Sequence, residues 1–244
     1  MQTPQFLIIP SLYVLHPPCH ITGHFMFGNN PVRTPVKGDG LTLDIQHIFA
    51  TLQGEGIYAG HPAVFIRLGG CNLACSFCDT EFESSSSLGL LQIVEKVIAL
   101  SDKKRKKLIV ITGGEPFLQP IAPLCSALLS KGFNVQIETN GTLYRELPEA
   151  VEIICSPKNN GAGYFPVRPD LLARITAFKF IISAHHPAYS HVPDIGQESI
   201  PVYVQPMDEY DESKNKANLI LATQLACNYG YRLSLQLHKI IGLE

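Results

Sequence analysis

Ala63-Val64-Phe65-Ile66-Arg67-Leu68-Gly69-Gly70-Cys71-Asn72-Leu73-Ala74-Cys75-Ser76-Phe77-Cys78-Asp79-Thr80 joins a strand pattern to a reactive loop. Its first six residues are a short, apolar, partly β-branched run, the pattern of a strand buried on both faces. Two glycines end the run, and three cysteines spaced C-x3-C-x2-C follow. In α/β folds with parallel sheets, functional side chains gather at the C-terminal ends of strands. The stretch predicts that class.

The pattern repeats outward. Leu108–Ile111, Val135–Ile137, Val151–Ile154, Phe178–Ile182 and Pro201–Val204 read as further strands, with Arg232-Leu233-Ser234-Leu235 as the last. Upstream, Leu43, Ile45 and Ile48 alternate with polar residues, as in a strand or hairpin arm. Between these runs, Leu90, Leu91, Val94, Val97 and Ile98 share one helical face. Ile121–Lys131 reads as a helix stopped by Gly132, and a third helix is expected at Ser213–Asn228. The serine run Ser84–Ser87 is expected to end a flexible excursion. About six core strands and three main helices are too few for a complete eight-fold barrel, so an open, shortened one is predicted.

Residues 1–40 differ from the rest. Pro17-Pro18, Pro31, Pro35, Gly38 and Gly40 interrupt any sustained period, which predicts an arm or disordered leader ahead of one domain at 41–244. Met26 is a candidate start, and a chain beginning there is expected to keep full activity. With 45% apolar residues and a net charge of -2, the 244 residues suit a single globular domain. The basic run Lys103–Lys107 reads as a solvated loop, so a small-molecule partner is expected rather than nucleic acid. Phe6–Leu15 is broken by Pro10, lacks a basic flank and is too short to cross a bilayer, so no membrane association is expected.

Seven cysteines are an odd number, and three crowd one loop, which argues against a disulfide framework. A metal or redox site in a reducing, cytoplasmic compartment fits better. Three thiolates on one loop can address a common centre. A [4Fe–4S] cluster normally takes four cysteines, so three leave one iron open. The amine and carboxylate of an amino acid can chelate that iron, and S-adenosylmethionine carries both. A zinc site completed by Cys125 or Cys155 is the alternative, but no second close cysteine pair exists. His185, His186 and His191 fit no standard metal spacing and read as loop residues.

The cysteine spacing, Phe77 before the third cysteine, and Gly113-Gly114-Glu115-Pro116 after a buried strand resemble the radical S-adenosylmethionine superfamily. That likeness implies that Cys71, Cys75 and Cys78 hold the cluster and that Phe77 lies beside the adenine. It also implies cofactor contacts at Gly114 and Glu115, the latter accepting from the methionine ammonium. Leu52-Gln53-Gly54-Glu55-Gly56, Arg67, Cys78-Asp79-Thr80, Glu138-Thr139-Asn140-Gly141, Cys155-Ser156-Pro157-Lys158 and His238-Lys239-Ile240-Ile241-Gly242-Leu243 occur in order. Together they resemble the 7-carboxy-7-deazaguanine synthase family, from about Leu41 to Glu244.

This resemblance implies a shortened, open TIM-like barrel of the radical SAM type, a homodimer, and an outside electron donor such as flavodoxin. It implies conversion of 6-carboxy-5,6,7,8-tetrahydropterin to 7-carboxy-7-deazaguanine with loss of ammonia, in queuosine or other deazapurine biosynthesis. A 5'-deoxyadenosyl radical takes hydrogen from C6 and later returns it, and Mg2+ assists by binding the substrate. Leu52, Gln53 and Gly54 would meet the pterin edge, where an amide offers both donor and acceptor. Arg67 would pair with the substrate carboxylate, Thr112 would contact substrate, and Thr80 would bind Mg2+. Ser156-Pro157-Lys158 and Gln205-Pro206-Met207-Asp208 match cofactor-binding stretches. Glu138 answers equally to a ribose or substrate contact and to a structural ion pair. His238-Lys239 would order the tail. The terminal Glu244 would lie near the substrate, although this chain lacks the family's Gly-Leu-Pro ending. A glycyl-radical activating enzyme shares the cysteine spacing but has no need of Leu52–Gly56. A non-catalytic iron–sulfur or zinc module has no need of the Gly113–Pro116 turn.

Overall fold

A computed structural model describes residues 30–101, 108–196 and 199–243. The leader up to residue 29 with its Met26, the basic run Lys103–Lys107 and the terminal Glu244 lie outside them. The nine strands among the described residues are β1 (Thr42–Leu52), β2 (Pro62–Leu68), β3 (Ser86–Gly89), β4 (Leu108–Gly113), β5 (Asn134–Thr139), β6 (Glu152–Cys155), β7 (Ile175–Ile182), β8 (Val202–Pro206) and β9 (Arg232–Leu233). They form one sheet in the order β3-β1-β2-β4-β5-β6-β7-β8-β9. From β2 onward every neighbouring pair is parallel, while β1 runs antiparallel to β2 and β3. The sheet is open, with β3 and β9 as its edges.

Three helices of more than one turn accompany it: α1 (Leu90–Leu100), α2 (Ala122–Ser130) and, after the single turn α3 (Pro169–Leu172), α4 (Glu212–Tyr229). A final turn, α5 (Leu237–Ile240), ends the described chain. Local chemistry marks the boundaries. Gln92 Oε1 accepts the Gly89 N–H at 2.9 Å at the start of α1. Asp211 accepts the Lys214 N–H at 3.0 Å at the start of α4, which stops at Gly230 in the left-handed conformation (φ 71).

Period-two alternation gives the sheet two unlike faces. Val64, Ile66, Ile109, Ile111, Ile137, Ile153, Phe180 and Val204 point one way and pack with Ile93, Val97, Leu124 and Leu128 of the helices. Burying each such aliphatic side chain contributes roughly 1.5–3 kcal/mol. On the other face, Ala63, Leu108 and Val110 cluster with Phe65, and Ile154, Ala177 and Tyr203 with Ile57. Farther along the same strands that face turns polar, with Arg67, Thr112, Glu138, Lys179 and Gln205. The strands thus carry an apolar floor and a polar rim.

Two expectations change. The serine run does more than end an excursion: Ser86–Gly89 pairs antiparallel with Thr42–Ile45, because the β1 edge offers it backbone partners. Residues 30–40, expected to be a separate arm, hold no regular strand or helix but pack on the domain. Val32 bridges Cys71 in parallel fashion, and the Val36 N–H donates to the Leu118 carbonyl at 2.8 Å.

Candidate functional site

The C-terminal ends of β2 and β4 to β8 surround a cavity of about 430 Å³. Gly70, in the left-handed region (φ 80), turns the chain out of β2 into the cysteine loop. The Gly70 N–H returns to the Phe82 carbonyl at 3.1 Å, and the Cys78 N–H to the Cys75 carbonyl at 3.1 Å. Cys71, Cys75 and Cys78 are free thiols, and all three line the cavity. Burial pushes the Cys71 thiol up to about 12, with the Leu73 N–H opposing the shift and Glu115 adding to it. Burial raises Cys75 and Cys78 as well. Such thiols ionise only beside a cation, which iron would supply on binding.

The donor set fits a cluster. No group of three or more His, Cys, Asp or Glu side chains among the described residues is arranged to hold a single ion. Three cysteines of one loop, none in a disulfide and all on one cavity wall, supply the donor type and number of a [4Fe–4S] cluster with one iron left open.

Beside the loop, the glycines of Gly113-Gly114-Glu115-Pro116 let β4 close on it. A Cβ on Gly113 would sit 2.2 Å from the Leu68 carbonyl oxygen, and one on Gly114 1.8 Å from that of Gly70. The Glu115 N–H donates to the Gly70 carbonyl at 3.0 Å. Glu115 itself departs from expectation: its side chain is fully buried behind the cavity wall. Its carboxylate accepts from Thr139 Oγ1 at 2.7 Å, the Asn140 N–H at 2.7 Å and the Phe117 N–H at 3.1 Å. Burial, against these bonds, raises it to about 7. Glu115 therefore locks the end of β4 to the end of β5.

Gly54 and Pro157 also lie off the wall. Gly54 gives close passage to the tail: a Cβ there would meet His238 Nδ1 at 2.0 Å, and its carbonyl accepts the Leu237 N–H at 3.1 Å. Pro157 is buried behind Ser156 and Lys158. The remaining described site residues, Leu52, Gln53, Arg67, Phe77, Thr80, Thr112, Gly114, Glu138, Ser156, Lys158, Gln205, Pro206, Met207 and Asp208, share the one cavity.

Several are held in set positions. The Arg67 guanidinium lies 5.3 Å from the Phe49 ring centroid, and its buried Nε has no hydrogen-bond partner. Phe77 packs edge-on against Tyr189 at 5.0 Å, and the Tyr189 hydroxyl donates to the Asn159 carbonyl at 2.9 Å. Lys158 Nζ donates to Ser156 Oγ at 2.7 Å. Burial lowers the Lys158 ammonium, while Cys75, Cys155 and Cys71 nearby act the other way. Thr80 Oγ1 donates weakly to Asp79 Oδ1 at 3.3 Å. Lys239 bridges Asp79 and Asp208, at 2.9 Å each, so the tail is tied to the cysteine loop and to β8. That is the ordering role expected of His238-Lys239. His185, His186 and His191 are exposed and off the wall.

The sequence reading missed the floor of the rim. Lys179 forms ion pairs with Glu55 and, at 2.9 Å, with Glu138. Gln53 Nε2 donates to Glu138 Oε1 at 2.9 Å, and Gln236 Nε2 to Glu55 Oε1 at 2.9 Å. Burial opposes charge on Glu55, but Lys179 outweighs it and holds that carboxylate down at about 2. Burial also opposes charge on Lys179, and Glu138 and Glu55 together hold it above its usual range. Glu138 thus makes the ion pair and also lines the cavity. The overlooked signal was a lysine inside the apolar run Phe178-Lys179-Phe180-Ile181-Ile182, where a lone cation needs a partner.

Comparison with known proteins agrees with this geometry. Residues 65–160 match the family model described as the Radical SAM superfamily. The chain is 54% identical over 230 residues to a 7-carboxy-7-deazaguanine synthase of Rickettsia prowazekii (strain Madrid E), covering 92% of this chain and 98% of that protein. It is 42% identical over 242 residues to the enzyme of that name from Rhodospirillum rubrum, covering 89% and 100%. The crystal structure of QueE from Escherichia coli superposes with a TM-score of 0.66 at 26% identity, covering 81% of this chain and 95% of that one. No helix among the described residues is long and apolar enough to cross a membrane.

Proposed function

The chain belongs to the 7-carboxy-7-deazaguanine synthase family of radical S-adenosylmethionine enzymes, and from that premise we propose that its cavity turns 6-carboxy-5,6,7,8-tetrahydropterin into 7-carboxy-7-deazaguanine with release of ammonia. The observation that carries the substrate assignment is Arg67. A half-buried arginine whose shielded Nε has no hydrogen-bond partner faces the same cavity as three free cysteines, and a carboxylate is its natural partner. The activating-enzyme and carrier readings offer that cation no acid group, and the family relationship displaces both.

When bound, the cluster and S-adenosylmethionine supply a 5'-deoxyadenosyl radical able to take a hydrogen atom from the substrate. The chain's own residues bind and orient. Arg67 holds the acid group and so aims C6. Gln53 and Glu138 present an amide and a carboxylate to the pterin edge, and the ion pair with Lys179 fixes the position of Glu138. Phe77 gives the adenine a face, while Ser156, Lys158 and Gln205 offer polar groups to the cofactor. Thr80 would supply a protein oxygen to Mg2+, which would help hold the substrate. An outside one-electron donor such as flavodoxin is required, since none of these side chains supplies an electron. The homodimer, the place in queuosine biosynthesis and the cytoplasmic setting come with the family reading.

Anaerobic turnover of the carboxypterin with and without Mg2+ tests the reading. Product is expected in both, and more with the metal. Thr80→Ala is expected to lose the Mg2+ response while carboxypterin affinity is kept. Release of deoxyadenosine with the pterin untouched would overturn the substrate.

The cluster makes a separate prediction. Replacing Cys71, Cys75 or Cys78 singly by Ala is expected to reduce bound iron to background and abolish turnover. Cys227→Ser, at an exposed position, is expected to change neither. Iron analysis and visible absorbance decide this, and full iron in Cys75→Ala would exclude the assigned site.

A further inference from the structure

The proline-rich stretch ahead of β1 reaches the active site. The Arg33 N–H donates to the Cys71 carbonyl at 2.7 Å, next to the Val32–Cys71 bridge, and the Arg33 guanidinium pairs with Glu83 at 2.6 Å. Arg145 Nη2 donates to the Val36 carbonyl at 2.5 Å and to the Leu118 carbonyl at 2.9 Å. Both ends of residues 32–36 are thus clamped, one to the cysteine loop and one to the turn after β4. This brings Asn30 to the cavity wall, where its Nδ2 is shielded from solvent and has no hydrogen-bond partner. A buried amide donor without an acceptor is costly, and native proteins keep few of them. In a binding cavity the missing acceptor is a ligand atom.

We propose that Asn30 is a binding residue whose Nδ2–H donates to a carboxylate or carbonyl oxygen of a ligand held beside Cys71. The inference rests on reading the cavity as the radical S-adenosylmethionine site. Either the cofactor's carboxylate or an oxygen of the pterin substrate supplies this acceptor chemistry. The Rickettsia prowazekii protein matches 92% of this chain, more than residues 41–244 contain, so that similarity reaches into the proline-rich stretch.

The test uses the full-length, cluster-loaded protein, titrated anaerobically with S-adenosylmethionine and with the carboxypterin in separate arms. Asn30→Ala is expected to raise the Kd of one ligand about five- to ten-fold, the size of one hydrogen bond. The other Kd and the iron content are expected to stay at wild-type values. Asn30→Asp, which puts an anionic acceptor where the donor was, is expected to weaken that same ligand further. Unchanged affinity for both ligands in Asn30→Ala would overturn the proposal, as would a joint loss of both accompanied by lost iron. A wild-type chain that binds the cofactor but not the pterin would refute the substrate assignment instead, and Asn30 is then judged on the cofactor arm.

Discussion

Lys179→Met is expected to lower turnover about a hundred-fold and to destabilise the fold by about 3–5 kcal/mol, the usual cost of removing one partner from a buried ion pair. The methionine fills the space but leaves Glu55 and Glu138 facing each other without a cation. Gln53, bonded to Glu138, then loses its fixed position. The pH dependence separates this from a simple packing defect. In the wild type Glu55 titrates at about 2 rather than its ordinary 4.5. A lowered carboxylate contributes stability that is present above its unfolded value and lost as pH falls through its folded value. The wild type therefore loses this contribution between about pH 4.5 and pH 2. Without Lys179 the sign reverses: burial raises Glu55, and the variant gains stability relative to wild type as pH falls from neutral. Adding Glu55→Gln to Lys179→Met is expected to recover part of the lost Tm. Melting curves over a pH series measure all of this. A Lys179→Met chain with the wild-type Tm and pH profile would show that the ion pairs do not organise the floor.

Arg67→Lys preserves the charge and is nonetheless expected to raise the carboxypterin Kd about ten- to a hundred-fold. An ammonium cannot reproduce two parallel hydrogen bonds to a carboxylate, and one lost charge-assisted bond is worth about 1.5–3 kcal/mol. It also leaves the Phe49 face, over which the guanidinium is stacked. Bound iron is expected to be unchanged, since Arg67 touches no cysteine, so substrate titration isolates the effect. If the lysine variant binds the carboxypterin as the wild type does, the acid group is held elsewhere and the pocket must be redrawn.

Much of the scaffold was legible because burial on both faces leaves a local trace. Ala63–Leu68, Leu108–Ile111 and Phe178–Ile182 announce themselves as strands by composition alone, and the helix expected at Ser213–Asn228 spans Glu212–Tyr229. Ser86–Gly89 has no such trace. Its strand exists because Thr42–Ile45 presents an edge to it, and edge pairing is a property of the neighbour. Glu115 shows the same limit in the site. A glutamate in a glycine turn reads as a ligand contact, and its pattern does not reveal that the same carboxylate also braces the fold by accepting from Phe117, Thr139 and Asn140.

Arg67 and Thr80 entered as candidates for acid and metal through the family resemblance, while the sequence by itself determined the spacing of the three cysteines and the order of the parallel strands' segments. These depend on residue type and on spacings within one element. Tertiary structure alone decided that Lys179 would find Glu55, 124 residues away, and Glu138, 41 residues away. It also decided that Asn30 would reach the cavity and that Glu115 would not. Whether a buried polar group binds a ligand or braces the fold depends on which partners meet it from other strands, and a one-dimensional pattern carries no record of those meetings.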